Sequence, residues 1–138
     1  MTDLTKINFV ARRVAALDDL TDLVEMLFPG NRNQQHAAAR ILLELKQANC
    51  IVPNLAFLEG RYGISRRTLH RVRAKLASLG LIEHVSWMNS RYGGQSGWRL
   101  SSKMSTSLRL LADKIDQWRR DTRPERMEKD EMLVGVMG

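Results

Sequence analysis

The chain has 138 residues, 43% of them hydrophobic and 27% charged, so it can bury one core and is not disordered by composition. No apolar run reaches the ~20 residues of a membrane-spanning helix, and residues 1–14 lack the apolar block of a secretion signal, so a soluble, intracellular protein is expected. The net charge of +7 points to an anionic partner, while the lone cysteine, Cys50, rules out an intrachain disulfide and a thiolate zinc site.

In chain order, Val10, Val14, Leu17, Leu20, Val24 and Leu27 recur every three or four residues and predict one amphipathic helix over residues 9–28, stopped by Pro29 and Gly30. Asn33 suits the N-cap of a second helix, whose stripe of Ala38, Ile41, Leu42, Leu45 and Ala48 carries it to about residue 48. Pro53 and Asn54 offer the start of a short third helix with Leu55, Phe57 and Leu58, interrupted at Gly60 and Gly63. Ser65, an N-cap type, and Gly80, a C-cap type, bracket a fourth helix. Leu69, Val72, Leu76 and Leu79 form its buried stripe. At 100° per residue the opposite face carries Arg67, Arg71, Ala74 and Ser78, with His70 and Lys75 on its flanks.

After Gly80, the β-branched and aromatic run from Leu81 to Trp87 predicts a strand, and Trp98 to Ser101 its partner. The Gly-rich stretch between them is a hairpin tip bearing Arg91 and Tyr92, and Trp87 and Trp98 at its base are expected to pack as a cross-strand pair. Met104, Leu108, Leu111, Ile115 and Trp118 follow a 4-3-4-3 spacing, the seam of a coiled-coil helix. Residues 121–138 mix opposite charges, contain Gly135 and Gly138, and read as a mobile tail.

The positive charge is local. Residues 31–120 carry 16 Lys or Arg against 5 Asp or Glu, whereas residues 1–30 and 121–138 each carry 3 against 5. Arg61, Arg66, Arg67, Arg71, Arg73 and Lys75 follow one another with no acid between them, a run whose self-repulsion calls for a polyanion. Gly63 permits a tight turn between two helices, Ile64 plugs the corner, and Ser65 caps the second helix so that it projects rigidly.

The stretch from Leu55 to Val72, with its turn Gly63-Ile64-Ser65, the Arg66-Arg67-Thr68-Leu69 that follows and the continuation Lys75 to Ile82, resembles the helix-turn-helix of winged-helix transcription regulators of the GntR and MarR kinds. The resemblance covers about residues 34–101. It implies a mainly α fold, a three-helix core plus a two-stranded wing at residues 31–101, with an N-terminal helical extension at 1–30 and a C-terminal helix at 102–120. It also implies a sequence-specific double-stranded DNA-binding protein, cytoplasmic and nucleoid-associated. Taken with the helical angles, it puts Arg67, His70 and Arg71 at base edges and Ser65, Arg66, Thr68 and Lys75 at phosphates. Arg91 and Tyr92 resemble wing residues that touch phosphate or the minor groove. Arg73, near the edge of the buried face, is expected to lay its stem over apolar neighbours.

Two other uses of such a module are the DNA-binding part of a plasmid or viral replication or partition protein, and a protein-interaction winged helix facing an acidic partner. The seam at Met104, Leu108, Leu111, Ile115 and Trp118 needs a partner, either the N-terminal helix of its own chain or, preferred, a second copy in a homodimer whose recognition helices read half-sites about one DNA turn apart. His36, His70 and His84 lack metal-ligand spacing, the acid pairs Asp18-Asp19 and Asp130-Glu131 have no catalytic company, and neither an enzyme nor a cofactor is expected. The DNA target, activation versus repression and any small-molecule effector are left open by the sequence.

Overall fold

A computed structural model describes residues 7–48, 51–86 and 96–138. These residues are mainly helical, with a small two-stranded antiparallel sheet. The chain divides into two units at Met104 and Ser105, within one helix.

The first unit begins with two helices where the periodicity predicts one: α1 (Ala11–Ala15) and α2 (Leu20–Leu27). The break comes from Asp19. Its carboxylate accepts from the amide of Asp22 while the Asp22 carboxylate accepts from the amides of Asp18 and Asp19, a reciprocal cap that starts a new helix. The hydroxyl of Thr21, donating to Asp19 at 2.6 Å, and the Asp22 amide hold the Asp19 carboxyl below its usual range. Local side-chain bonding at the helix start thus overrides an apolar stripe that runs straight through it.

Helix α3 (Arg32–Ala48) starts two residues earlier than expected, because the Asn31 side chain, rather than Asn33, caps it by accepting from the amide of Gln34 at 3.0 Å. Its Ala37, Ala38, Ile41, Leu42 and Leu45 are buried, and it packs against α2, α5 (Arg66–Leu79) and the second strand. Helix α4 (Phe57–Tyr62) runs through Gly60 and stops at Gly63, whose φ of 66° is left-handed. Gly60 therefore does not interrupt it. Leu55, Leu58, Leu69, Val72 and Leu76 join Leu27, Ile41, Leu45 and Ile82 at the centre of the core. No polar or charged side chain is buried among the described residues, so this core is held by apolar burial alone.

Strands β1 (Ile82–Val85) and β2 (Gly97–Leu100) pair with Ile82 opposite Leu100 and His84 opposite Trp98. An isolated bridge, absent from the sequence reading, is supplied by Val52: its amide and carbonyl each bond to Trp98 at 2.8 Å. Gly97 makes this possible. A Cβ on it would run into the Val52 carbonyl, with Ile51 and Pro53 also within 2.7 Å, so only a glycine lets the two backbones meet. Trp98 lies edge-on to the ring of His84, centroids 5.0 Å apart, its cross-strand neighbour in the register. Its expected partner Trp87 lies outside the described residues.

The first unit ends by closing on itself. Gly80 takes the left-handed conformation that ends α5, its carbonyl accepts from the Met104 amide at 2.9 Å, and Met104 is buried with 9% of its surface exposed. Met104, expected in the seam, belongs instead to this core. Glu83 on β1 ties the start of α6 (Lys103–Arg120) to the sheet, bonding Arg99 at 2.7 Å and Lys103 at 3.0 Å. Those two cations, Lys103 foremost, hold the Glu83 carboxyl below its usual range.

The second unit comprises the rest of α6 and α7 (Pro124–Met137). Residues 124–137, expected as a mobile tail, are therefore helical. Pro124 sits at the first helical position, where its missing N–H costs nothing, Glu125 follows in the first turn, and Arg126 pairs with Asp130 one turn on. The apolar residues of α7 do not gather into one stripe, and without that periodicity the helix left no amphipathic trace. Among the described residues no helix is long and apolar enough to cross a membrane.

Candidate nucleic-acid interface

Helix α5 follows the sequence reading at both ends. Ser65 has extended backbone, its Oγ accepts from the Thr68 amide at 3.1 Å, and the same hydroxyl donates to Thr68 Oγ1 at 2.8 Å. At the other end Gly80 and Leu81 donate back to Leu76. Leu69, Val72, Leu76 and Leu79 are buried against α3 and β1, which fixes the rotation of the helix about its own axis. With that face anchored, Arg67, Arg71, Ala74 and Ser78 stand exposed on the opposite side, and Arg66 and His70 are exposed beside them.

The six cations between Arg61 and Lys75 fall into two groups. Arg61 sits 3.5 Å from Glu44 with its guanidinium over the Phe57 ring. Arg73 lies over the Trp98 ring, 5.0 Å from its centroid, and meets His70 Nδ1 at 3.2 Å. Lys75 donates to the Leu27 carbonyl at 2.7 Å and stands over the Phe28 ring, so its ammonium caps the C-terminal end of α2. These three cations are engaged by the protein. The side chains of Arg66, Arg67 and Arg71 have no hydrogen bond or ion pair among the described residues.

The division corrects one expected role. Lys75, assigned to a phosphate, is spent on α2, and its half-buried stem follows from that contact. Ser65 and Thr68 turn their hydroxyls toward each other, which stiffens the helix start. Of Arg73, expected to lay its stem over apolar neighbours, it is the guanidinium that lies over an aromatic ring of the sheet. Because a guanidinium only donates, Arg73 makes His70 Nδ1 an acceptor and leaves the Nε2–H of the neutral ring as its donor. Arg91 and Tyr92 lie outside the described residues.

Asn54, Glu59, Arg66, His70 and Arg73 line a crevice of about 410 Å³ beside the start of α5, polar rather than apolar in character. It offers hydrogen-bond donors to an anion and little surface to a greasy ligand. The roles of Arg73 and Lys75 were hard to foresee because their partners are distant in the chain. The angle of Arg73 near the buried face was the one available signal. Comparison with family models, with curated proteins and with solved structures finds no match to this chain.

Proposed function

We propose that the chain is a sequence-specific double-stranded DNA-binding protein, a transcription regulator of the winged helix-turn-helix kind, in which α4, the turn at Gly63 and α5 form the helix-turn-helix and β1 and β2 the wing. The observation that carries this reading is the outward face of α5: Arg67 and Arg71 exposed and with no side-chain partner among the described residues, one turn apart, beside the small Ala74 and Ser78. An α-helix with side chains is 10–12 Å across, the width of the major groove, and small residues let its axis come close to the base edges. Arginine then grips guanine O6 and N7 with two bonds. His70, a donor through Nε2, suits a base acceptor beside it, and Arg66 at the helix start suits a phosphate.

The likeness of residues 34–101 to GntR and MarR regulators supports the same reading and extends it to Arg91 and Tyr92 as wing contacts and to a cytoplasmic, nucleoid-associated setting. The test is duplex binding by fluorescence anisotropy across a salt series. Affinity should fall at least about tenfold between roughly 50 and 200 mM salt, as displaced counterions demand. Flat salt dependence, or no duplex binding, would overturn the proposal and favour an acidic protein as the partner of this face.

A further inference from the structure

Within the second unit, Leu108, Leu111, Ile115 and Trp118 lie on one side of α6 at spacings of three, four and three. Leu108 is half-buried, and Leu111, Ile115 and Trp118 are 54%, 51% and 64% exposed. An average spacing of 3.5 residues is the seam that one helix presents to another wound around it. Helix α7 does not offer a matching stripe, since its exposed Met132, Leu133, Val134, Val136 and Met137 spread over about 200° of its circumference. A second α6 does. We propose that α6 pairs with the α6 of a second copy of this chain, antiparallel, with Leu108 against Trp118 of the other copy and Leu111 against its Ile115.

The flanking residues set the direction. In a parallel pair in register, Lys114 of each helix would face Arg119 of the other, giving two like-charged contacts, offset only in part by the Asp116 that pairs with Arg119 at 3.2 Å on its own helix. Turned antiparallel about an axis between Leu111 and Ile115, Arg119 comes beside Ser105 and Asp121 beside Ser107. Ala112 then meets its own counterpart on the axis, where a small side chain lets the helices close. Only Lys114 meets a like charge, once, at an edge open to water. Met104 is taken by the first unit, which leaves four layers and an interface at the small end of the stable range. The dimer is therefore reversible.

The inference does not depend on DNA binding and is tested without it, on the full chain. Light scattering should show the mass rising from 15.8 kDa toward twice that value over the micromolar range. Trp118→Glu should hold it at the monomer value with its helical circular dichroism unchanged. In a Cys50→Ser background, Ala112→Cys should cross-link to a covalent dimer under mild oxidation and Leu111→Cys should not. A wild-type chain that stays monomeric up to about 100 μM overturns the pairing. Cross-linking through Leu111→Cys, or a dimeric Ala112→Cys sample that does not cross-link, overturns the antiparallel register.

Discussion

Arg67 and Lys75 sit two turns apart on α5 and are both cationic, yet Lys75 is held by the Leu27 carbonyl while Arg67 has no side-chain partner among the described residues. Sequence angle separates them by about 80°, enough to call Lys75 a flank, while the carbonyl that captures it lies 48 residues earlier in the chain. A contact of that kind is tertiary, and no local pattern announces it. Replacing Lys75 with Met keeps the stem and removes the ammonium from the end of α2. Thermal melts should then show a loss of about 1 kcal/mol, and the preference among duplexes should be unchanged. A Lys75→Met chain of full stability but altered preference would return this residue to the interface.

At the scale of elements, α5 was legible because everything that defines it is local: Ser65, the four-residue apolar stripe and Gly80. The strands were legible for the same reason, but the bridge from Val52 was not, since it depends on the fold bringing residue 52 beside Gly97. Helices α1 and α2 show the opposite failure. Their apolar spacing is continuous, and the break is written in Asp18, Asp19 and Asp22, which periodicity alone passes over. The contact of the sheet with Lys103 depends on a carboxylate. Glu83 has a folded pKa below its usual value of 4.5, so its stabilisation is complete above that value and disappears as the pH falls through the lowered one. Melting temperatures of wild type and Glu83→Gln should therefore differ near pH 7, with the wild type higher, and converge in acid below pH 4.5. A gap that persists unchanged at pH 3 would remove the salt bridges as its cause.

For the whole molecule, the first unit holds the anchored basic helix, and the second holds most of the large apolar side chains left open to water. The first was legible in outline, from the cap residues and the local run of arginines. Of the second, the stripe on α6 was legible and the helix at 124–137 was not, because Gly135 and the scattered apolar residues carry no helical period. The central claim is that Arg67 and Arg71 read bases. Selection of bound duplexes from a random pool tests it most directly, comparing wild type, Arg66→Ala and the double substitution of Arg67 and Arg71 by Ala. The wild type should enrich a defined site, and Arg66→Ala should bind more weakly with the same preference. The double variant should lose about 1–3 kcal/mol of discrimination at each position its arginines contact. An identical site enriched to the same degree by the double variant would contradict the claim.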